Sequence, residues 1–203
     1  MIRDAETERI LGRLRKHEGK LPELEITEAR RHRDWFVPLL LQECQKEIDK
    51  LKQKPDPNKP STVQGHSSLP FFALFLFSEW ETKDSIPVIL KGMCLPCEGP
   101  YELFGDGIHE QVSRYLAQFL SHDLDRLDSM ICDPKVNMYV RWAASSSYPF
   151  LVRDENITVE EAIIRLESHF HKTKVIGEDG RPGIGHCYEL SAGIIFNLHQ
   201  LGG

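Results

Sequence analysis

The chain lacks most of what would fix a fold or a chemistry from outside. Its five cysteines, at 44, 94, 97, 132 and 187, are odd in number and irregularly spaced, which excludes a disulfide framework and suits reduced thiols. The longest apolar run, Leu69 to Phe77, is nine residues and contains Pro70. Spanning a bilayer takes about 20, so that run reads as a buried helix and no membrane is expected as a partner. Basic charge is in short supply too: 25 Lys and Arg face 31 Asp and Glu, giving a formal charge of -6. Phosphate binding needs the opposite balance, so nucleic acid is excluded as a partner. The first residues, Met-Ile-Arg-Asp, are charged at once and offer no apolar leader, which points to the cytoplasm. No catalytic motif of high specificity occurs, and no cofactor is implied.

What is present is apolar mass with a helical period. Leu, Ile, Val and Phe supply 57 of 203 residues, above the level of about 20% below which charged chains stay unfolded. Leucines outnumber Val and Thr together, 23 to 15, and apolar residues recur at three and four rather than two. Ten helices are expected: 2–18, 24–33, 35–51, 66–80, 85–95, 106–120, 123–132, 136–151, 158–171 and 186–201. In the third, Leu39, Leu40, Ile48 and Leu51 oppose Gln42, Glu43, Lys46 and Lys50. The segment 54–64 opens with three prolines in seven residues and reads as a surface connector. The stretches 96–105 and 177–185 read as loops, and Thr158 with Glu161 forms a capping box at the head of the ninth helix.

The helices group in pairs of roughly 35 to 45 residues, the period of α-solenoids, in which stacking supplies the core that no pair has alone. Asp133-Pro134, followed by Val140-Arg141 and Ala143-Ala144, resembles a HEAT repeat. A wider set of residues resembles the bacterial domain-of-unknown-function family numbered 1186. It comprises Leu21-Pro22-Glu23, Arg30 to Asp34, Pro38, Ala73-Leu74, Phe77, Ile86 to Leu90, Leu95-Pro96, Gly105-Asp106, Glu110 and Asp133 to Ala144. The resemblance implies an all-α, HEAT-like superhelix, about five pairs with the last incomplete, forming a single domain over 1–203. It implies no activity. The Cys-rich module that some members carry has no counterpart here.

Each candidate for chemistry has a plainer competitor. Cys94-Leu-Pro-Cys97 has the spacing of a redox pair, but it falls at a helix carboxy terminus, where the dipole disfavours a thiolate, so buried cysteines are expected there. It supplies two of the four ligands a structural zinc requires. His169 and His171, two apart, lie on different sides of a helix and are expected in solvent. Asp106, His109 and Glu110 gather two carboxylates and an imidazole at a loop-to-helix junction. They form either a binding site or an N-cap with a first-turn acid. Asp133 and Arg141 are expected to pair as an inter-repeat ladder, and Trp142 to be mostly buried between repeats.

The function that follows is a protein-binding scaffold or adaptor; the competing one is a metal-dependent or other enzyme built on Asp106, His109 and Glu110. In HEAT-like pairs the second helix lines the concave side. Asp123, Asp125 and Asp128 on one such helix, with Glu160, Glu161 and Glu167 on another, outnumber Arg126 and Arg165. An acidic concave patch centred on Asp125 and Asp128 is therefore expected, suited to a partner with a basic segment.

Overall fold

The structure, a computed structural model, describes residues 2–16, 21–53, 67–173 and 187–202. The connector expected at 54–64 lies outside them. Among the described residues the regular structure is all helical, with twelve α-helices and no strand. None of these helices is long and apolar enough to cross a membrane. Contacts divide the chain into two compact units, Met1–Gly105 and Asp106–Gly203.

The first unit holds α1 (Ile2–Arg15), α2 (Glu23–Arg31), α3 (Arg33–Lys52), α4 (Leu69–Glu79), α5 (Ile86–Met93) and α6 (Gly99–Phe104). In α3 the buried residues are Phe36, Leu40, Cys44 and Ile48. This four-residue repeat makes one stripe facing α4 and α5. Leu39 and Leu51 flank that stripe and are half-buried. The run Leu69 to Phe77 forms α4 with Pro70 in its first turn, where a missing amide costs nothing, and only Phe75 of its apolar residues is exposed. The expected loop at 96–105 instead contains α6. Pro100 starts this helix, Leu103 and Phe104 bury into the unit, and Gly105 ends it at a φ of 53°. The run of Gly and Pro at 96–100 masked it, although proline at a first turn favours a helix.

The second unit holds α7 (Gly107–Leu120), α8 (Leu124–Cys132), α9 (Met138–Ser145), α10 (Ser147–Arg153), α11 (Val159–Thr173) and α12 (Cys187–Gln200). Side-chain oxygens start three of them. Asp123 accepts from the Arg126 amide, Asn137 from Tyr139 at 2.9 Å, and Thr158 from Glu161 at 3.1 Å. The Glu161 carboxylate turns to Arg165 instead of completing the capping box. The single helix expected over 136–151 is two. The break falls at Ser146, three residues before Pro149, whose ring clashes with a carbonyl one turn back in an unbroken helix.

Around this break α9 packs on α7, α8 and α12. Arg141 is buried, and its Nε donates to the Ile131 carbonyl at the end of α8, at 2.8 Å. Asp133 accepts from the Lys135 amide. The expected Asp133–Arg141 ladder is thus replaced by two bonds to backbone, one from α9 across to the end of α8 and one closing the turn at Asp133. Trp142 is only half-buried. Its indole lies against α12 at Gly193, where an added Cβ would stand 2.4 Å from Nε1. Asn197, one turn on, donates from Nδ2 to the hydroxyls of Ser145 and Ser146, at 3.1 and 3.3 Å. Ser145 and Ser146, both small, admit α12 this closely.

The expected result for Gly193→Ala follows. The methyl must displace either the indole or the helix, at a cost of about 1–3 kcal/mol. Urea denaturation should record that loss while far-ultraviolet circular dichroism stays helical. An unchanged midpoint would show that α9 and α12 are not in this contact.

Candidate functional site

The second unit carries a groove of about 810 Å³ among α7, α9, α10 and α12, within the usual range for ligand sites. One wall comes from α12, whose Ala192, Phe196 and Gln200 recur every four residues. The opposite wall is aromatic. His109 meets Tyr139 and Trp142 edge-on, with ring centroids 5.4 and 5.0 Å apart. Two guanidinium groups lie over the Phe150 ring of α10, Arg114 at 5.2 Å and Arg153 at 4.9 Å from its centroid. Asn197 lines the groove while 2% exposed; Phe196 beside it is 56% exposed.

Charge at the rim is unevenly committed. Arg153 forms a two-bond pair with Asp154, at 2.8 and 3.1 Å. Glu110 accepts from Arg114 at one oxygen, 3.0 Å away, with its side chain 74% exposed. Over the whole unit, nine Lys and Arg face fourteen Asp and Glu, so it carries -5 of the chain's -6.

The residues singled out from sequence fall in two places. His109 and Glu110 line the groove; Asp106 precedes them at the N-cap of α7, where its side chain does not cap the helix. Asp125 and Asp128 lie on α8, apart from the groove lining, and differ sharply from each other. The Asp125 side chain is 96% exposed, 3.7 Å from Arg165. Asp128 is enclosed by a polar cluster of three helices. His169 Nε2 lies 3.0 Å from its Oδ1, Tyr148 donates to the same oxygen, and Arg165 donates to Oδ2 at 2.6 Å. Burial alone would raise the Asp128 carboxyl. Hydrogen bonds from His169 and Tyr148 and the charge of Arg165 outweigh it and hold the group below the ordinary carboxylate range. Burial, with the adjacent carboxylate, pushes the Tyr148 phenol up.

Three sequence expectations change here. His169 is not in solvent: it is 1% exposed, and its Nδ1 has no hydrogen-bond partner among the described residues. Cys94 and Cys97 are both exposed rather than buried: past the end of α5 at Met93 it is Leu95, between them, that fills the core. Cys97 has a positive φ of 52°. Among the described residues no three His, Cys, Asp or Glu side chains converge on a point that could hold a metal.

Sequence reasoning missed Phe150, Arg153, Phe196 and Asn197. One signal was available. Ile194, Ile195 and Phe196 are consecutive, and at about 100° per residue three neighbours cannot share one buried face. Ile194 is buried, and the other two are more than half exposed.

The Asp128 cluster makes a pH prediction. Because the folded carboxyl is depressed, its contribution is present above the unfolded value near 4 and is lost as pH falls through the folded value. Asp128→Asn should lower stability at neutral pH by roughly 1–3 kcal/mol. In urea titrations the gap between the two proteins should close as the pH drops below about 4. A gap that stays constant to pH 2 would rule out the ionised carboxylate as its source.

An uncharacterised protein of Chlamydia muridarum (strain MoPn / Nigg) is 29% identical over 158 residues, 78% of this chain and 60% of that protein. One from Chlamydia trachomatis serovar D is 30% identical over the same shares. The chain thus spans about 60% of the length of these relatives. No solved structure matches it. The family described as "Protein of unknown function (DUF1186)" matches residues 5–179, and to that family the chain belongs.

Proposed function

We propose that the protein is a binding module, a helical scaffold that holds a segment of a partner protein in the groove of its second unit. The observation that carries this is the groove itself: a large concave surface in which five aromatic rings, from His109, Tyr139, Trp142, Phe150 and Phe196, surround a buried asparagine. Exposed apolar surface of this kind is costly in water unless something covers it, and aromatic anchors in a concave site are the usual centre of protein recognition. Among the described residues beside the rings no nucleophile is placed against a base, so binding accounts for the site better than catalysis does.

The all-helical content and the helix pairs are compatible with a HEAT-like stack, and a scaffold of that type presents such grooves repeatedly. An acidic unit also suits a basic partner. The exposed carboxylates for this are Asp125, Glu160 and Glu167; Arg165 hydrogen-bonds Asp128 and Glu161 and lies 3.7 Å from Asp125. Asp125 would add long-range attraction rather than contacts in the groove. Exposed Cys94 and Cys97 suit a cytoplasmic setting, where thiols are kept reduced.

Selection of random peptides of about a dozen residues against the whole chain tests this. Peptides that bind the native protein should lose at least about tenfold in affinity against Phe196→Glu. That position is already 56% exposed, so the substitution leaves folding intact. Selected peptides that bind the variant unchanged would place docking elsewhere.

A further inference from the structure

The groove also discriminates by charge, and this inference rests on the docking reading just given. Its two formal charges are not equivalent. Arg153 is held by Asp154 through two hydrogen bonds and lies over Phe150, so an incoming anion would have to break both contacts. Glu110 shares only Oε1 with Arg114 and is mostly exposed; no hydrogen bond reaches Oε2 among the described residues.

The buried amide on the floor points the same way. Asn197 directs its Nδ2 at the hydroxyls of Ser145 and Ser146, so what it can offer a ligand is its carbonyl oxygen, an acceptor. Aromatic faces carry negative quadrupole charge and attract cations. That preference is visible within the unit, where the guanidinium groups of Arg114 and Arg153 both lie over the Phe150 ring. The rings of Trp142, Tyr139 and Phe196 also line the groove, and among the described residues no guanidinium or ammonium lies over them.

A carboxylate, a fixed carbonyl and open aromatic rings call for a flat cation with several donors. Lysine offers a compact charge that holds its water. A guanidinium is planar, weakly hydrated, and carries five N–H groups that reach two acceptors while stacking on a ring. We propose that the groove receives an arginine side chain presented by a partner protein, stacked on the aromatic wall and hydrogen-bonded by Glu110 and Asn197. The net charge of -5 on this unit supplies the attraction at long range.

The test titrates the isotope-labelled whole chain with the acetylated, amidated peptide Gly-Leu-Arg-Leu-Gly and with the same peptide carrying citrulline, which keeps the shape and removes the charge. The Trp142 indole N–H resonance, assigned with Trp35→Phe and Trp80→Phe, reports occupancy. The arginine peptide should bind about tenfold more tightly than the citrulline peptide, with lysine between them. Glu110→Gln, an exposed position that tolerates change, should cut that ratio to about threefold or less, because it weakens the arginine peptide more than the uncharged citrulline peptide. Equal binding of arginine and citrulline peptides at Trp142 would overturn the arginine preference and leave docking in the groove standing. Failure of every peptide to shift Trp142 would overturn both.

Discussion

The carboxylate of Asp128 is the point on which the second unit turns. It lies on α8, yet its two oxygens are filled from α10 by Tyr148 and from α11 by Arg165 and His169. A half-buried charge is tolerable only when its lone pairs are met, and here the donors that meet them come from elements up to 41 residues downstream in the chain. The result is a polar tie among helices that apolar packing alone would leave free to slide. It also holds α10 in position, and α10 is the helix that carries Phe150 and Arg153 to the groove.

From that tie the groove follows by close approach. Gly193 has no side chain to keep the Trp142 indole away from α12, and Ser145 and Ser146 turn to Asn197 what bulkier residues would spend on separation. The helices meet tightly along that seam. At the seam's edge the indole and Phe196 are left partly uncovered. The same contact therefore explains why a tryptophan expected between repeats is only half-buried.

Much of the architecture was legible in the chain because it is local. The three-four spacing marked nine helix cores, and the side-chain cap at Thr158 marked the start of one of them. The two misjudged segments share a cause. At 96–105 and 136–151, prolines fall where they can start a helix as readily as break one, and only tertiary packing of Leu103, Phe104 and Tyr148 decides between these. The site was less legible. His109 and Glu110 stood out by residue type, but the rings that face them come from Tyr139, Trp142, Phe150 and Phe196, far away in sequence and ordinary as core residues. His169 likewise gave no sign of burial, because its partner Asp128 sits on another helix and looked like one more member of an acidic face.

The break at Ser146 sets a constraint of register. Tyr139 and Trp142 on α9 and Phe150 and Arg153 on α10 all reach one groove, although the two helices are separate rods joined by a single residue. Adding or deleting one residue at that joint would turn α10 by about 100° about its axis. Phe150 and Arg153 would swing away, and Tyr148 would leave Asp128, while every residue of α9 kept its place. The joint is therefore far more sensitive to its length than to the identity of its side chain.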